Sequence, residues 1–144
     1  MDKGSYCLIL AGRESYITIG SLGDTWFPQG WYVYCGSAQG PGGFARVRRH
    51  VRVFKRGVPS PTWHIDHLLS SPAFNLEAAV CIPGHDPETE CHVASSLSGR
   101  PCPGFGCSDC RCPSHLFFYP EDPRDDVLSV ILSLGLSADI KTIN

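Results

Sequence analysis

The junction between an apolar strand and a basic helix is the part of this chain whose residue types best suit chemistry. Residues 31–35 are mostly aromatic or β-branched and predict a strand, and the strand-like residues Gly36 and Ser37 lead from it to a Gly-rich turn at residues 40–43. Backbone N–H groups at such a turn and guanidinium groups on the next helix can point at one place, so we expect an anion to bind there. Six of the twelve lysines and arginines fall on that helix: Arg46, Arg48, Arg49, Arg52, Lys55 and Arg56.

The basic helix is predicted to carry an apolar stripe with polar flanks. The stripe recurs at helical spacing and would face the core: Phe44, Val47, Val51 and Phe54. Arg46 and His50 are four residues apart, so they would lie side by side where the core meets solvent, as a semi-enclosed site requires. Arg48, Arg52 and Lys55 would line the opposite flank. The alternative is that Arg46 and His50 form a surface pair on a solvated helix.

Glu90 is the carboxylate whose position is least usual. Asp86 and Pro87 predict the start of a helix, because aspartate caps helices and proline suits their first position. Within that helix Glu90 shares a side with Val93 and Leu97, which makes it the one charged residue on the core-facing stripe. Glu90 is therefore a candidate metal ligand. It could also be an exposed acid that only interacts with the helix dipole.

The elements that would position these residues predict an α/β fold: a small, mostly antiparallel central sheet flanked by helices, in a single domain over residues 1–144. Apolar or β-branched runs predict strands at residues 5–11, 16–19, 31–35, 76–82 and 115–119. The first three strands would most simply form a meander. Alternation places Tyr6 with Leu8 and Leu10 on one face, and Tyr32 with Tyr34. Beyond the helices at 44–57 and 86–99, helices are expected at 60–69 and from Asp122, and the tail shows no clear pattern.

A cysteine-rich segment between residues 99 and 114 is the second candidate site. Cys107, Cys110, Cys112 and His115 have the spacing C-x2-C-x-C-x2-H, and these are ligands that zinc accepts. The alternative is a compact loop with buried thiols. No secretion signal precedes the eight cysteines, so reduced thiols or metal ligands are expected before disulfides.

Composition argues against a membrane protein. The formal net charge is −2, and no apolar stretch approaches the roughly 20 residues that span a bilayer. The N-terminus also lacks a basic segment followed by a long apolar run. We therefore expect a cytoplasmic protein without membrane contact.

The order of these residues resembles the GIY-YIG nuclease family. Gly4-Ser5-Tyr6 corresponds to the first motif, Tyr34-Cys35-Gly36 to the second, Arg46-x-x-x-His50 to the third and Glu90 to the metal ligand. The resemblance covers roughly residues 4–97. About 27 residues separate the two tyrosines, longer than is usual in the family, so an extra strand must be inserted. The segment from about 100 to 119 is not part of the general family pattern. It resembles a subgroup of stand-alone GIY-YIG proteins, which are sometimes found joined to a DNA-repair glycosylase.

The resemblance implies an endonuclease that depends on Mg²⁺ or Mn²⁺ and hydrolyses phosphodiester bonds in DNA, with branched or damaged DNA and a DNA-repair protein as candidate substrate and partner. It implies that Tyr6 orients or deprotonates water, with His50 and Tyr34 as partners in proton transfer or positioning. Arg46 can pair with a phosphate in bidentate fashion, and Glu90 would hold the metal. The expected nucleic-acid contacts are Ser37, Arg48, Arg49, Arg52, Lys55, Arg56 and His64.

Two functions of other classes remain open at this point. The same fold could be a non-catalytic nucleic-acid-binding module that uses the arginine-rich helix. It could also be a zinc-stabilised interaction domain. Tyr6 and Tyr34 would then be ordinary half-buried strand tyrosines, and His64 and His67 structural histidines. The sequence does not distinguish DNA from RNA and gives no oligomeric state.

Overall fold

Eight strands and four α-helices form the described part of the chain. A computed structural model describes residues 2–106 and 114–143. The strands are β1 (Gly4–Gly12), β2 (Ser15–Thr18), β3 (Asp24–Phe27), β4 (Gly30–Ala38), β5 (Phe74–Pro83), β6 (Arg100–Pro101), β7 (Leu116–Tyr119) and β8 (Asp139–Thr142). The α-helices are α1 (Ala45–Arg56), α2 (His64–Leu69), α3 (Thr89–Ser96) and α4 (Arg124–Ser133).

Six of these strands form one antiparallel sheet with β1 near its centre. The strand order is β6-β7-β4-β1-β5-β8. β1 pairs with β4 along its whole length, from Gly4 opposite Ala38 to Gly12 opposite Gly30, and it pairs with β5 along its other edge. The predicted α/β fold with a small antiparallel sheet is confirmed.

Helices cover both faces of the sheet, which explains why β1 is apolar on both sides. One core cluster joins Tyr6, Leu8 and Leu10 of β1 to residues of α1 and α2. The other joins Cys7 and Ile9 to residues of α3 and α4. Successive side chains of a strand point to opposite faces, so the predicted alternation of β1 holds. Tyr32 and Tyr34 share the α1 side of the sheet, as predicted.

The three-stranded meander predicted for the first strands is wrong. Both hydrogen-bonding edges of β1 are occupied by β4 and β5, so β2 cannot join it. β2 pairs instead with β3, a strand in a segment predicted to be loop, and the two form a separate sheet. This hairpin lies between Tyr6 and Tyr34 in the sequence. The tail forms β8, which extends the main sheet beyond β5.

Two helices begin later in the sequence than predicted, because a side chain accepts hydrogen bonds from backbone N–H groups just before each helix. α2 begins at His64 rather than Pro61, because an Asp66 carboxylate oxygen accepts hydrogen bonds from the N–H groups of Thr62 and Trp63. α3 begins at Thr89, after a turn in which the side chain of Asp86 accepts the N–H of Glu88. Among the described residues, every helix falls short of the length and apolar character that crossing a membrane requires.

The buried face of α1 is rotated relative to the predicted stripe. Val47 is buried as expected, but the other buried residues of α1 are His50 and Val53. Phe44, Val51 and Phe54 pack against the core while remaining partly exposed. In α4, Val127, Val130 and Ile131 are buried, whereas Leu134 lies beyond the helix end and is exposed.

Candidate active site

A cavity of about 320 Å³ lies where β1, β4, α1 and α3 approach one another. Tyr6, Tyr34, Arg46 and Glu90, four of the predicted catalytic and metal-binding residues, line it. The other lining residues are Gly36, Ser37, Thr62, Trp63, His64, Gly106 and His115. Tyr6 and Glu90, which are 84 positions apart in the sequence, therefore meet in one place.

The position of Tyr6 depends on the glycine opposite it. Tyr6 and Gly36 are partners across the β1–β4 pair, and the phenol ring lies directly over the glycine. A Cβ atom added at Gly36 would lie 2.3 Å from Cζ of Tyr6 and 2.4 Å from its hydroxyl oxygen. Such distances are far below van der Waals contact, so any side chain here would displace the ring. Because Gly36 has no side chain, the Tyr6 ring can lie close to the sheet, and this sets the position of its hydroxyl group.

The buried His50 ring contacts the hydroxyl group of Tyr6. Its Nε2 lies 2.7 Å from the Tyr6 hydroxyl oxygen, and His50 is only 1% exposed. The prediction that His50 lies at the border of core and solvent is wrong, because its ring packs against the rings of Tyr6, Tyr34 and Trp63. Its Nδ1 has no hydrogen-bond partner among the described residues. A ring with one satisfied nitrogen can be buried when it is neutral.

Burial controls the protonation of this pair. Removal from water lowers the pKa of His50 to about 4, and the nearby Arg49 and Arg46 act in the same direction. Burial also raises the pKa of Tyr6 well above its ordinary value, and the neighbouring Tyr34 adds to that shift. At neutral pH both side chains are therefore uncharged, and the hydrogen bond between them joins two neutral groups.

Tyr34 lines the cavity from β4. Its ring meets His50 edge-on with centroids 6.3 Å apart, and Phe105 with centroids 6.1 Å apart. Burial raises the pKa of Tyr34, and the charge of Glu90 raises it further. A neutral phenol in this position can donate a hydrogen bond to an anion in the cavity.

Arg46 brings a positive charge to the cavity. Its Nη1 donates a hydrogen bond of 2.9 Å to the carbonyl oxygen of Ser37, at the end of β4. Its guanidinium also lies over the ring of Trp63, with Cζ 4.9 Å from the ring centroid. These two contacts hold an otherwise exposed side chain in place while leaving further N–H groups for a ligand.

Arg49 has a different role from the other arginines of α1. It donates two hydrogen bonds, of 2.9 and 3.0 Å, to the two carboxylate oxygens of Asp66, which is fully buried. Burial opposes ionisation of Asp66, but the hydrogen bonds from Arg49 and from two backbone N–H groups outweigh it and lower its pKa. Arg49 also stacks on Trp63 at 4.3 Å. The ion pair therefore ties α1 to α2 and positions Trp63 beside the cavity.

Glu90 is held by a buried histidine. Its Oε2 lies 2.8 Å from Nδ1 of His115, and the same nitrogen lies 3.2 Å from the carbonyl oxygen of Cys35. The Glu90 side chain is 17% exposed and the His115 side chain 4%. An imidazole that donates its N–H here fixes one carboxylate oxygen and leaves the other for a ligand.

The predicted zinc set is only partly within the described residues. Cys107, Cys110 and Cys112 lie outside them, whereas His115 directs its Nδ1 toward Glu90. Among the described residues, no three His, Cys, Asp or Glu side chains converge as a metal site. The zinc site stays a prediction.

Six of the seven predicted nucleic-acid contacts lie on one of two surfaces. Ser37 and His64 line the cavity, and Nδ1 of His64 accepts a 3.0 Å hydrogen bond from the N–H of Gly106. Burial, and then the nearby His67, lower the pKa of His64. Arg48, Arg52 and Lys55 line a separate groove on the opposite flank of α1, as the spacing predicted, and Arg56 lines the same groove. Arg49 lines neither surface and pairs with Asp66 instead.

Sequence reasoning missed three residues that shape the cavity. Trp63 supports Arg46, and Asp66 anchors Arg49, yet each looked like part of an ordinary short helix. His115 was assigned to a possible zinc site and not to Glu90. The nearest available signal was the short segment Trp63 to Asp66, where an aromatic, a histidine and an acid follow Pro61.

Comparison with known proteins gives one match. The model of a family described as Domain of unknown function DUF123 matches residues 5–136. Neither the curated proteins nor the solved structures include a match. The matched range contains every residue that lines the cavity.

Proposed function

We propose that this chain, which belongs to the DUF123 family, is a metal-dependent endonuclease of the GIY-YIG type that hydrolyses phosphodiester bonds in DNA. The observation that carries the proposal is the convergence of two phenols, one guanidinium and one carboxylate in a single cavity. Each comes from a different element: Tyr6 from β1, Tyr34 from β4, Arg46 from α1 and Glu90 from α3. Phosphodiester hydrolysis needs these kinds of group, because it must hold a phosphate, orient water and stabilise added negative charge.

Arg46 is the group best placed to bind the scissile phosphate. A guanidinium pairs with phosphate oxygens through two parallel N–H donors, and Arg46 lies at the mouth of the cavity. The Ser37 carbonyl and the Trp63 ring reduce the freedom that the side chain would lose on binding. The ring of Trp63, which is 36% exposed, also offers a surface on which a nucleobase could stack.

The chemistry around Glu90 suits Mg²⁺ or Mn²⁺. Mg²⁺ is commonly held by one or two carboxylates and keeps several waters. Within the described lining of the cavity Glu90 is the one carboxylate, and a volume of about 320 Å³ leaves room for waters. When bound there, such an ion would neutralise charge on the phosphate and stabilise the leaving oxygen. His115 would keep Glu90 oriented toward the ion.

Tyr6 and His50 provide a path for the proton of the attacking water. Neutral His50 can accept the Tyr6 hydroxyl proton at Nε2, which leaves lone pairs of the phenol oxygen facing the cavity. The water would donate a hydrogen bond to that oxygen. As the water oxygen bonds to phosphorus and the bond to the leaving oxygen breaks, the water proton moves to Tyr6 and the phenol proton to His50. The leaving oxygen takes a proton from solvent, and the negative phosphate favours the resulting imidazolium.

Purified protein incubated with labelled DNA tests the proposal. The panel contains duplex, branched and abasic DNA, each with Mg²⁺, with Mn²⁺ or with excess EDTA. We expect cleavage of at least one DNA that EDTA abolishes and that Arg46→Ala reduces by about 10²-fold or more. Salt-dependent DNA binding without any cleavage would contradict the proposal and favour a non-catalytic nucleic-acid-binding module.

A further inference from the structure

A second groove lies on the other flank of α1, between that helix and the edge of the sheet formed by β5 and β8. Its volume is about 600 Å³, larger than that of the candidate active site. Its floor is apolar and consists of Phe44, Val47, Val51, Ala79, Cys81 and Ile143. Of these, Phe44, Val51 and Ile143 pack against the core but remain partly exposed to solvent. The groove therefore presents apolar surface that this part of the fold leaves uncovered.

Cations surround this floor. Arg48, Arg52, Lys55 and Arg56 line it from α1, and Lys141 lines it from β8. The acids that line it are Asp2 and Asp139, so cations outnumber acids by five to two. Among residues 2–106 and 114–143, no carboxylate forms an ion pair with Arg52, Lys55 or Arg56. The groove thus combines an apolar centre with a positively charged rim.

This combination favours an amphipathic acidic segment over nucleic acid. A phosphodiester backbone would pair with the cations of the groove, but it would leave the apolar floor of the groove exposed to water. A helix with apolar residues on one face and carboxylates on its borders would fill the floor and pair with the rim together. We propose that this groove binds an acidic amphipathic helix of a partner protein.

The helix that lines the groove has features that suit a helical occupant. α1 has 12 residues, which gives a length of about 18 Å at about 1.5 Å per residue. Phe44, Val47 and Val51 form a row at helical spacing along its groove side, and such a row packs into the furrow of a neighbouring helix. Arg48, Arg52 and Lys55 run parallel to that row, where they would meet the acidic border of the bound helix.

The test uses a fluorescein-labelled peptide of about 14 residues, with leucine at positions i, i+3, i+4 and i+7 and glutamate on the flanking positions. The comparison peptide has lysine in place of every glutamate. Fluorescence anisotropy measures binding to the full-length protein. We expect saturable binding of the acidic peptide and at least about tenfold weaker binding of the lysine peptide. In an amide NMR spectrum, the acidic peptide should shift the signals of Val51, Ala79 and Ile143.

Two variants test the rim and the floor separately. Arg52→Glu with Lys55→Glu should weaken binding of the acidic peptide about tenfold or more, because it reverses two exposed charges. The matched control is Lys3→Glu with Arg13→Glu, which reverses two charges outside the groove and should change affinity less than about twofold. Val51→Glu should also abolish binding by placing a charge on the floor. Thermal unfolding confirms that each variant is folded, and the rim variant decides the result if Val51→Glu is not.

Three outcomes would overturn the proposal. The first is equal affinity for the acidic and lysine peptides, or no binding of either. The second is a set of amide shifts that lies away from α1 and β8. The third is a DNA duplex that shifts the groove amides while the acidic peptide does not, which would assign this face to nucleic acid.

Discussion

The Tyr6 hydroxyl oxygen lies 2.7 Å from Nε2 of His50, and both side chains are at most 2% exposed. The pair joins the central strand to α1 beneath the cavity floor. Because His50 is buried as the neutral imidazole, its hydrogen bond with Tyr6 contributes to the stability of the fold as well as to the proposed chemistry. Stability measurements therefore test the geometry without any assumption about catalysis.

The burial of His50 makes stability depend on pH. Its pKa in the folded protein is about 4, whereas an unfolded chain gives a value near 6.5. The unfolded state therefore binds the proton more readily, and the contribution of His50 is present above about pH 6.5 and lost as the pH falls toward 4. The free energy of unfolding of the wild type relative to His50→Gln should fall by up to about 3 kcal/mol between pH 7 and pH 4.

Urea unfolding at several pH values measures that difference. His85→Gln, at an exposed position, is the matched control, and its difference from the wild type should vary much less over the same range. A wild-type minus His50→Gln difference that is constant from pH 7 to pH 4 would mean that His50 is not buried as described.

Gly36→Ala should destabilise the fold because the new methyl group would collide with the Tyr6 ring. Overpacking of this kind typically costs about 1–3 kcal/mol. Gly40→Ala is the control, since the nearest atom to a Cβ there lies 4.0 Å away. In a Tyr6→Ala background, the cost of Gly36→Ala should become smaller, and thermal unfolding of the four proteins measures this coupling. Additive effects would show that the two residues are not in contact.

Five of the eight strands in the described residues could be predicted, because they follow local patterns: β1, β2, β4, β5 and β7. The alternation of Tyr6, Leu8 and Leu10 needs no information beyond its own segment. The sequence also places Gly36 at the end of a predicted strand, but it does not reveal the contact between Gly36 and Tyr6, because that contact depends on the register between β1 and β4. Two further strands, β2 and β3, lie between β1 and β4 in the sequence, so no short turn sets this register locally.

Long-range partners account for most of what the sequence did not predict. His50 was placed at the border of core and solvent, since nothing near it in sequence shows that Tyr6 satisfies its Nε2. Likewise, Glu90 lies on α3 and its partner His115, 25 residues later, lies just before β7. The second groove also depends on β8, whose sequence has no clear strand pattern. Partners of this kind are fixed by tertiary packing rather than by local propensity.

Asp66→Asn tests the ion pair that ties α1 to α2. The amide keeps an oxygen for the backbone N–H groups but removes the charge that Arg49 binds through two hydrogen bonds. We expect a loss of about 1–3 kcal/mol in the free energy of unfolding. Asp122→Asn removes a carboxylate from a surface ion pair with Arg124 and should cost less than about 1 kcal/mol. Equal losses in chemical denaturation would show that the buried pair has no special role.

His115 is expected to act as a positioning residue for Glu90. His115→Leu removes the N–H that holds Oε2, so it should weaken Mn²⁺ binding about tenfold or more, as loss of a hydrogen bond to a metal-binding carboxylate commonly does. His115→Asn retains an N–H donor and should lose less. Titration followed by Mn²⁺ electron paramagnetic resonance measures both affinities. Unchanged Mn²⁺ affinity in a folded His115→Leu protein would rule out this role.

The most direct test of the proposed active site compares two glutamates at the start of the same helix. Glu90 faces the cavity, whereas the Glu88 side chain is 77% exposed. The rate of DNA cleavage with Mg²⁺ should fall by about 10²-fold or more in Glu90→Gln and stay within about twofold of the wild type in Glu88→Gln, with both variants fully folded. Cleavage by folded Glu90→Gln at the wild-type rate would contradict the central claim that Glu90 completes a metal-dependent active site with Tyr6, Tyr34 and Arg46.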